Sequence, residues 1–182
     1  MKTMPYEVIR RPIPDGREGT LRSADEIMQQ IRIGTTSWDV RHATVKALNE
    51  AGIQGRDYEG ETRAIFYWVK RNLPFRQDPV GDTELIHSAA ALLRLMKEGA
   101  GGADCDDHVI LLGAMLRTVG IPVRLVLLGN DHEHPRLWNH IYLEAQPLHG
   151  GSWMALDTTV PSAYPGWAPQ NPLTIRKLRE IR

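Results

Sequence analysis

The sequence has only one cysteine, Cys105. No internal disulfide can form, and a zinc site built on paired cysteines is ruled out. A lone cysteine fits a reducing compartment, so a cytoplasmic location is expected. Long hydrophobic runs are also missing. Short runs such as residues 109–112 and 125–128 fall far short of the roughly 20 residues needed to cross a bilayer. Residues 1–15 carry Lys2, Arg10 and Arg11 but no apolar segment, so they do not read as a signal peptide. Net charge is absent too, with 22 Lys and Arg against 22 Asp and Glu. That balance gives no support for nucleic acid or a membrane surface, and neither is expected as a partner, although net charge hides how the charges are distributed. The sequence shows no internal repeat. What is there is ordinary for a globular protein: 182 residues, 42% hydrophobic and 24% charged. This is enough for one domain with a core and too little for two.

Residues 1–22 are rich in Pro, Arg and Gly and read as an extended arm, with a short strand at residues 6–10. Ser23 and Glu26 form a capping-box pattern, which predicts a helix over residues 24–33, broken at 34–37. Helices are predicted over residues 39–50, 59–72 and 86–97, with a turn-rich linker at 77–82. Asp104 stands where an N-cap should stand. From Cys105 to Val119 the residues Val109, Leu112, Met115, Leu116 and Val119 recur with helical period, and Gly120 and Pro122 end the run. This helix is largely apolar and should be the buried, central one. Then the texture changes. Residues 123–128, 138–145 and 153–157 read as strands, with His140 on the face opposite Ile141 and Leu143. Residues 173–181 read as a short terminal helix. Strands after helices, parted by turn signals, predict an α+β fold with an antiparallel sheet. Three parts follow: an arm with a short helix (1–37), a core (38–160) and a Pro- and aromatic-rich tail (161–182).

Cys105 falls in the first turn of the central helix. Unpaired N–H groups and the helix dipole favour a thiolate there and can hold an oxyanion. Asp104, Asp106 and Asp107 oppose this, since like charge disfavours the thiolate. A histidine partner would then supply most of the activation. His140 lies in mid-strand and Asp157 ends the next strand. If the two strands pair across the turn at 147–151, imidazole and carboxylate become neighbours. Taken singly, a lone cysteine is more often a packing residue. The three residues together in this order point to thiol chemistry. Asp104, Asp106, His108, Trp138, Asn139 and Trp153 are candidates for the substrate cleft around them. Trp68 and Gln77 are weaker candidates for a second oxyanion donor.

These residues also carry a family likeness. The stretch Gly102-Ala103-Asp104-Cys105-Asp106-Asp107-His108, continuing to Gly120-Ile121-Pro122-Val123-Arg124, resembles the core of the transglutaminase-like superfamily. Asn139-His140-Ile141-Tyr142-Leu143-Glu144 is similar to that family's histidine strand, and Trp153 through Asp157-Thr158-Thr159 to its aspartate strand. Residues 64–82 look like its lead-in, and the closest resemblance is to small members encoded by bacteria and tailed phages. The likeness spans residues 38–160. It implies a papain-like fold and acyl transfer on amides, with Cys105 as nucleophile, His140 as general base and acid, and Asp157 as the residue that orients His140. One departure stands out: many members have Ala and Trp after the histidine, where this chain has Ile141 and Tyr142.

The expected activity is a cysteine protease or amidase acting on protein or peptide, with hydrolysis favoured over crosslinking and no cofactor. A second reading makes the domain a scaffold in a larger assembly, docked through its N-terminal arm, with a virion as the setting if the chain is phage-encoded. A third is metal binding, from Asp131-His132-Glu133-His134 or from Cys105 with His108. With one cysteine this is the weakest, and no metal site is assigned.

Overall fold

Asp104 starts helix α5 (Cys105–Thr118): its carboxylate accepts the backbone N–H groups of Asp106 at 3.1 Å and Asp107 at 3.2 Å. These are two of the donors that a helix start leaves unpaired. Gly120, with φ +83°, closes the other end, and Ile121 N–H bonds back to Leu116. Every residue from Asp106 to Leu116 is buried. An all-round buried helix must be covered on all sides, and α5 is. The computed structural model describes residues 8–12, 16–76, 83–99, 102–148, 150–178 and 180–181.

One cover is helical: α1 (Arg17–Thr35), α2 (Trp38–Glu50), α3 (Tyr58–Asn72) and α4 (Ala89–Glu98) all pack against α5. Helix α1 lies closest. A Cβ at Gly34 would stand 2.7 Å from Ala114 Cβ and 3.0 Å from Ala89 Cβ. That contact explains why α1 runs through Gly34 instead of ending before it. It also starts at Arg17, earlier than the expected helix at 24–33, so the extended arm is shorter than the sequence suggests. Ala24, Ile27 and Ile31 place α1 in the main core.

The other cover is the antiparallel sheet β5-β4-β3-β6, formed by β3 (Val123–Gly129), β4 (His140–Ala145), β5 (Met154–Leu156) and β6 (Thr174–Lys177). The fold is therefore α+β, as expected. Leu125, Leu127, Ile141, Leu143 and Leu156 join the core around α5. Burial of each such side chain contributes about 1.5–3 kcal/mol. The outer face carries a second apolar cluster of Val126, Leu128, Tyr142 and Ala155, with Ala168 packed on it. Cross-strand ion pairs lie beside it: Glu144 binds Arg124 and, at 2.7 Å, Lys177. This face is thus mixed rather than simply polar.

Strand β6 corrects the helix expected over residues 173–181. Leu127 pairs with Arg176 and Leu128 with Ile175, and Ile181 bridges to Val123. A smaller sheet joins β1 (Val8–Pro12) to β2 (Thr83–His87), with Val8 opposite His87. Ile86 and His87 therefore belong to a strand rather than to the helix expected over 86–97, and Ser88 caps α4 instead, accepting Ala91 N–H at 3.2 Å. The arm strand expected at 6–10 meets β1 at residues 8–10 and continues to Pro12, with residues 6 and 7 outside the described residues. The predicted linker at 77–82 is outside the described residues. No helix among the described residues is long and apolar enough to cross a membrane.

Candidate active site

The mouth of α5 meets the sheet at β4. The sulfur of Cys105 is half-buried and receives the backbone N–H of Ile141, the residue after His140. It also donates to Oδ1 of Asp106 at 3.6 Å. Burial first, then the charges of Asp106 and Asp104, push the thiol well above its ordinary value, with the Ile141 N–H acting the other way. Desolvation and like charge both disfavour the thiolate. These effects favour the thiol over the thiolate, despite the sulfur's place at a helix N-terminus.

Strand register brings the next two groups together. Leu143 faces Leu156 and Glu144 faces Ala155. Carried one residue beyond Leu156, this register sets Asp157 opposite Tyr142, one diagonal step from His140 on the same face. Nε2 of His140 lies 2.7 Å from Oδ2 of Asp157. The Asp157 side chain is 1% exposed and that of His140 is 20% exposed. Burial alone would raise the Asp157 carboxyl. The hydrogen bond and charge of His140, with two bonds from Thr159, outweigh it and hold the carboxyl below its usual range. Those two bonds to Oδ1 come from Thr159 N–H at 3.0 Å and its hydroxyl at 2.7 Å. A carboxylate only accepts, so Nε2 carries the proton and Nδ1 is the basic nitrogen.

Three supports lie around this pair. His108, one turn beyond Cys105, is 1% exposed, and its Nδ1 lies 2.8 Å from Oγ1 of Thr158. It is packed inside the wall and not open to the cleft as the sequence suggested. The segment 74–76 runs beside Ala103. Ala103 N–H donates to the Pro74 carbonyl at 3.0 Å, and Arg76 N–H donates to that of Ala103 at 2.9 Å. Phe75, 51% exposed, sits with its ring centroid 6.2 Å from that of His108. Lys70 on α3 donates to the carbonyls of Val160 and Pro161 at 2.9 and 3.0 Å, and to that of Ala163. Desolvation lowers its ammonium, against the opposing pull of Asp157. Sequence reasoning missed Phe75, Thr158 and Lys70. The polar pair of threonines after Asp157 was the one signal available for Thr158.

The remaining candidates take other places. Asp104 is the helix cap. Asp107 is buried and holds Nδ1 of His87 at 3.0 Å, a second histidine–carboxylate pair at the start of α5. Trp138 donates from Nε1 to Thr174 at 2.8 Å, with the Arg17 guanidinium 4.5 Å from its ring. Asn139 pins the β3–β4 connection by accepting Asn130 N–H at 3.1 Å. Trp153 stacks under Arg124 at 4.1 Å, on the outer sheet face. Trp68 is buried with no hydrogen-bond partner for Nε1 among the described residues, and Gln77 lies outside them. In the loop of Asp131, His132, Glu133 and His134, His134 pairs with Asp131 at 3.0 Å. Among the described residues, no group of three or more His, Cys, Asp or Glu side chains could hold a metal.

Comparison with known families matches residues 46–158 to the transglutaminase-like superfamily. Comparison with curated proteins finds no match. Among solved structures, a "putative protease" from Parabacteroides distasonis ATCC 8503 is similar, with a TM-score of 0.52 at 13% identity. The alignment covers 85% of this chain and 36% of that one, so this chain spans about a third of its neighbour's length. At that identity the likeness is one of fold.

Proposed function

The chain belongs to the transglutaminase-like superfamily, and on that footing we propose that it is a thiol enzyme transferring acyl groups from amide bonds. Cys105 is the nucleophile, His140 the general base and then acid, and Asp157 the carboxylate that orients His140. The observation that carries this reading is the 2.7 Å contact between His140 Nε2 and Asp157. It stands beside a cysteine whose sulfur already meets the Ile141 N–H.

The raised thiol sets the order of events. No standing thiolate attacks. Instead Nδ1 of His140 takes the proton of Cys105 as the sulfur bonds to the amide carbon. The Cys105 backbone N–H, at the mouth of α5, helps hold the oxyanion, since Asp104 takes those of Asp106 and Asp107. The imidazolium then gives its proton to the nitrogen, the C–N bond breaks, an amine leaves and a thioester remains. Water attacks the thioester carbon, losing a proton to Nδ1. The C–S bond breaks, the acid leaves, and the sulfur recovers its proton. Hydrolysis of a protein or peptide is favoured over crosslinking, because the similar fold in Parabacteroides is described as a "putative protease" and the motifs resemble small family members.

One observation favours a second reading, a non-catalytic module within a larger assembly: the thiol is raised and already donates to Asp106. Iodoacetamide alkylation of Cys105 in wild type and in His140→Ala separates the two. General-base help is worth about a hundredfold or more, and a loss of that order in His140→Ala at neutral pH is expected. Equal rates in the two proteins would sink the enzyme reading. With casein as substrate, new peptide termini report hydrolysis, and incorporation of an amine probe reports crosslinking.

A further inference from the structure

The proposed mechanism does not use His108, although it is a buried titratable group that feels the charge of Asp157. It sits on the same helix as Cys105, one turn on, and is 1% exposed. Its bond to Thr158 Oγ1, at 2.8 Å, spans fifty residues of chain. Thr158 is itself buried, at 6% exposure, so no solvent competes for that bond. Asp157 and Thr158 are consecutive, and their side chains leave the backbone in different directions: Asp157 goes to His140 and Thr158 goes to α5. Asp157 lies beyond the last residue of β5, Leu156, so the ladder no longer holds it. The two Thr159 bonds hold its Oδ1 from one side, and the Thr158 bond to His108 ties the peptide between them to α5.

We infer that His108 is a positioning residue, which through Thr158 fixes the backbone at Asp157 so that the carboxylate meets Nε2 of His140. This rests on the triad reading above. The nucleophile and the orienting acid are then tied to one helix: Cys105 stands at its mouth and His108 holds the acid's neighbour. Neutral imidazole suits this role. Nδ1 can accept the Thr158 hydroxyl proton only while it carries no proton itself, and burial lowers the His108 pKa to about 4, against the pull of Asp157.

The test reads geometry and reactivity separately. The first readout is the exchange-protected Nε2–H proton of His140 in NMR, identified by its loss in Asp157→Asn. It should persist in wild type and Thr158→Ser, and should broaden into fast exchange in Thr158→Val. The second readout is alkylation of Cys105. A misplacement of about 1 Å can cost a hundredfold, so a loss of about ten- to a hundredfold is expected in Thr158→Val, with recovery in Thr158→Ser. His108→Asn keeps a donor and acceptor near the Nδ1 position and should fall between wild type and His108→Leu. The double variant His108→Leu with Thr158→Val should be no slower than either single one, because both remove one link. Far-UV circular dichroism confirms that each variant is folded. A folded Thr158→Val that keeps the protected His140 proton overturns the inference. If the proton is lost in Thr158→Val while wild type and His140→Ala alkylate alike, the positioning role stands and the enzymatic reading fails.

Discussion

Gly102 lies so tightly against Arg76 that a Cβ at position 102 would overlap the Arg76 Cβ and meet the Pro74 carbonyl at 2.9 Å. The two strands of backbone touch here because position 102 has no side chain, and Cys105 follows three residues later. Gly102→Ala must push segment 74–76 outward and strain its bonds to Ala103. A loss of about 1–3 kcal/mol in urea unfolding is expected, with slower alkylation of Cys105. An unchanged unfolding midpoint would show that segment 74–76 moves freely.

The carboxylate of Asp106 accepts the Cys105 thiol and adds to its raised pKa. Asp106→Asn removes a like charge. The alkylation rate at neutral pH should rise several-fold, and its midpoint in pH should move down. A slower or unshifted profile would mean that burial and Asp104, not Asp106, set the state of the sulfur.

Asp157→Asn keeps the shape of the site but can donate where the carboxylate accepts, so His140 is offered the wrong tautomer. In a serine protease triad the same exchange costs about 10⁴ in turnover, and a fall of at least a hundredfold in peptide release is expected here. The variant should also lose part of its acid sensitivity. Asp157 is depressed in the fold, so its contribution is present above the ordinary carboxylate range and is lost as pH falls through the lowered value. A urea titration from pH 7 to pH 3 checks both signs.

His108 acts on stability at a higher pH. Its pKa is about 4 in the fold against 6.5 for the free side chain. Above pH 6.5 both states are neutral and its contribution is complete. Between 6.5 and about 4 the unfolded chain binds a proton that the fold refuses, so stability falls by at most about 1.4 kcal/mol per pH unit. Below about 4 the slope ends. His108→Gln should lack this slope in the same urea series, and retention of the slope would assign it to another group.

Much of the site could be read from the sequence because its signals are local. Asp104 followed by Cys105 and an apolar helical stripe gave α5, and the alternation around His140 gave β4 and its faces. Long-range features were not readable in this way. Residues 173–181 carry a helix-like spread of charge, yet β3 has an open edge that takes Thr174 and Ile175 as a strand. Tertiary pairing overrides a weak propensity. The Ala- and Leu-rich run predicts a helix from Ile86, yet Ser88 caps α4 and Ile86 and His87 pair with β1. Gly34 reads as a breaker until Ala114 and Ala89 are seen against it. Thr158 and Lys70 matter through partners fifty and ninety or more residues away, and no spacing rule reaches that far.

The protonated state of Cys105 has a bearing on chemical durability. Peroxides attack thiolates far faster than thiols. A sulfur kept protonated by its burial and by Asp106 and Asp104 resists conversion to sulfenic acid while the site is idle. The acidic residues that hold the proton on the sulfur thus lengthen its life in air, and on the mechanism proposed above it is vulnerable only during the short interval in which His140 holds the proton.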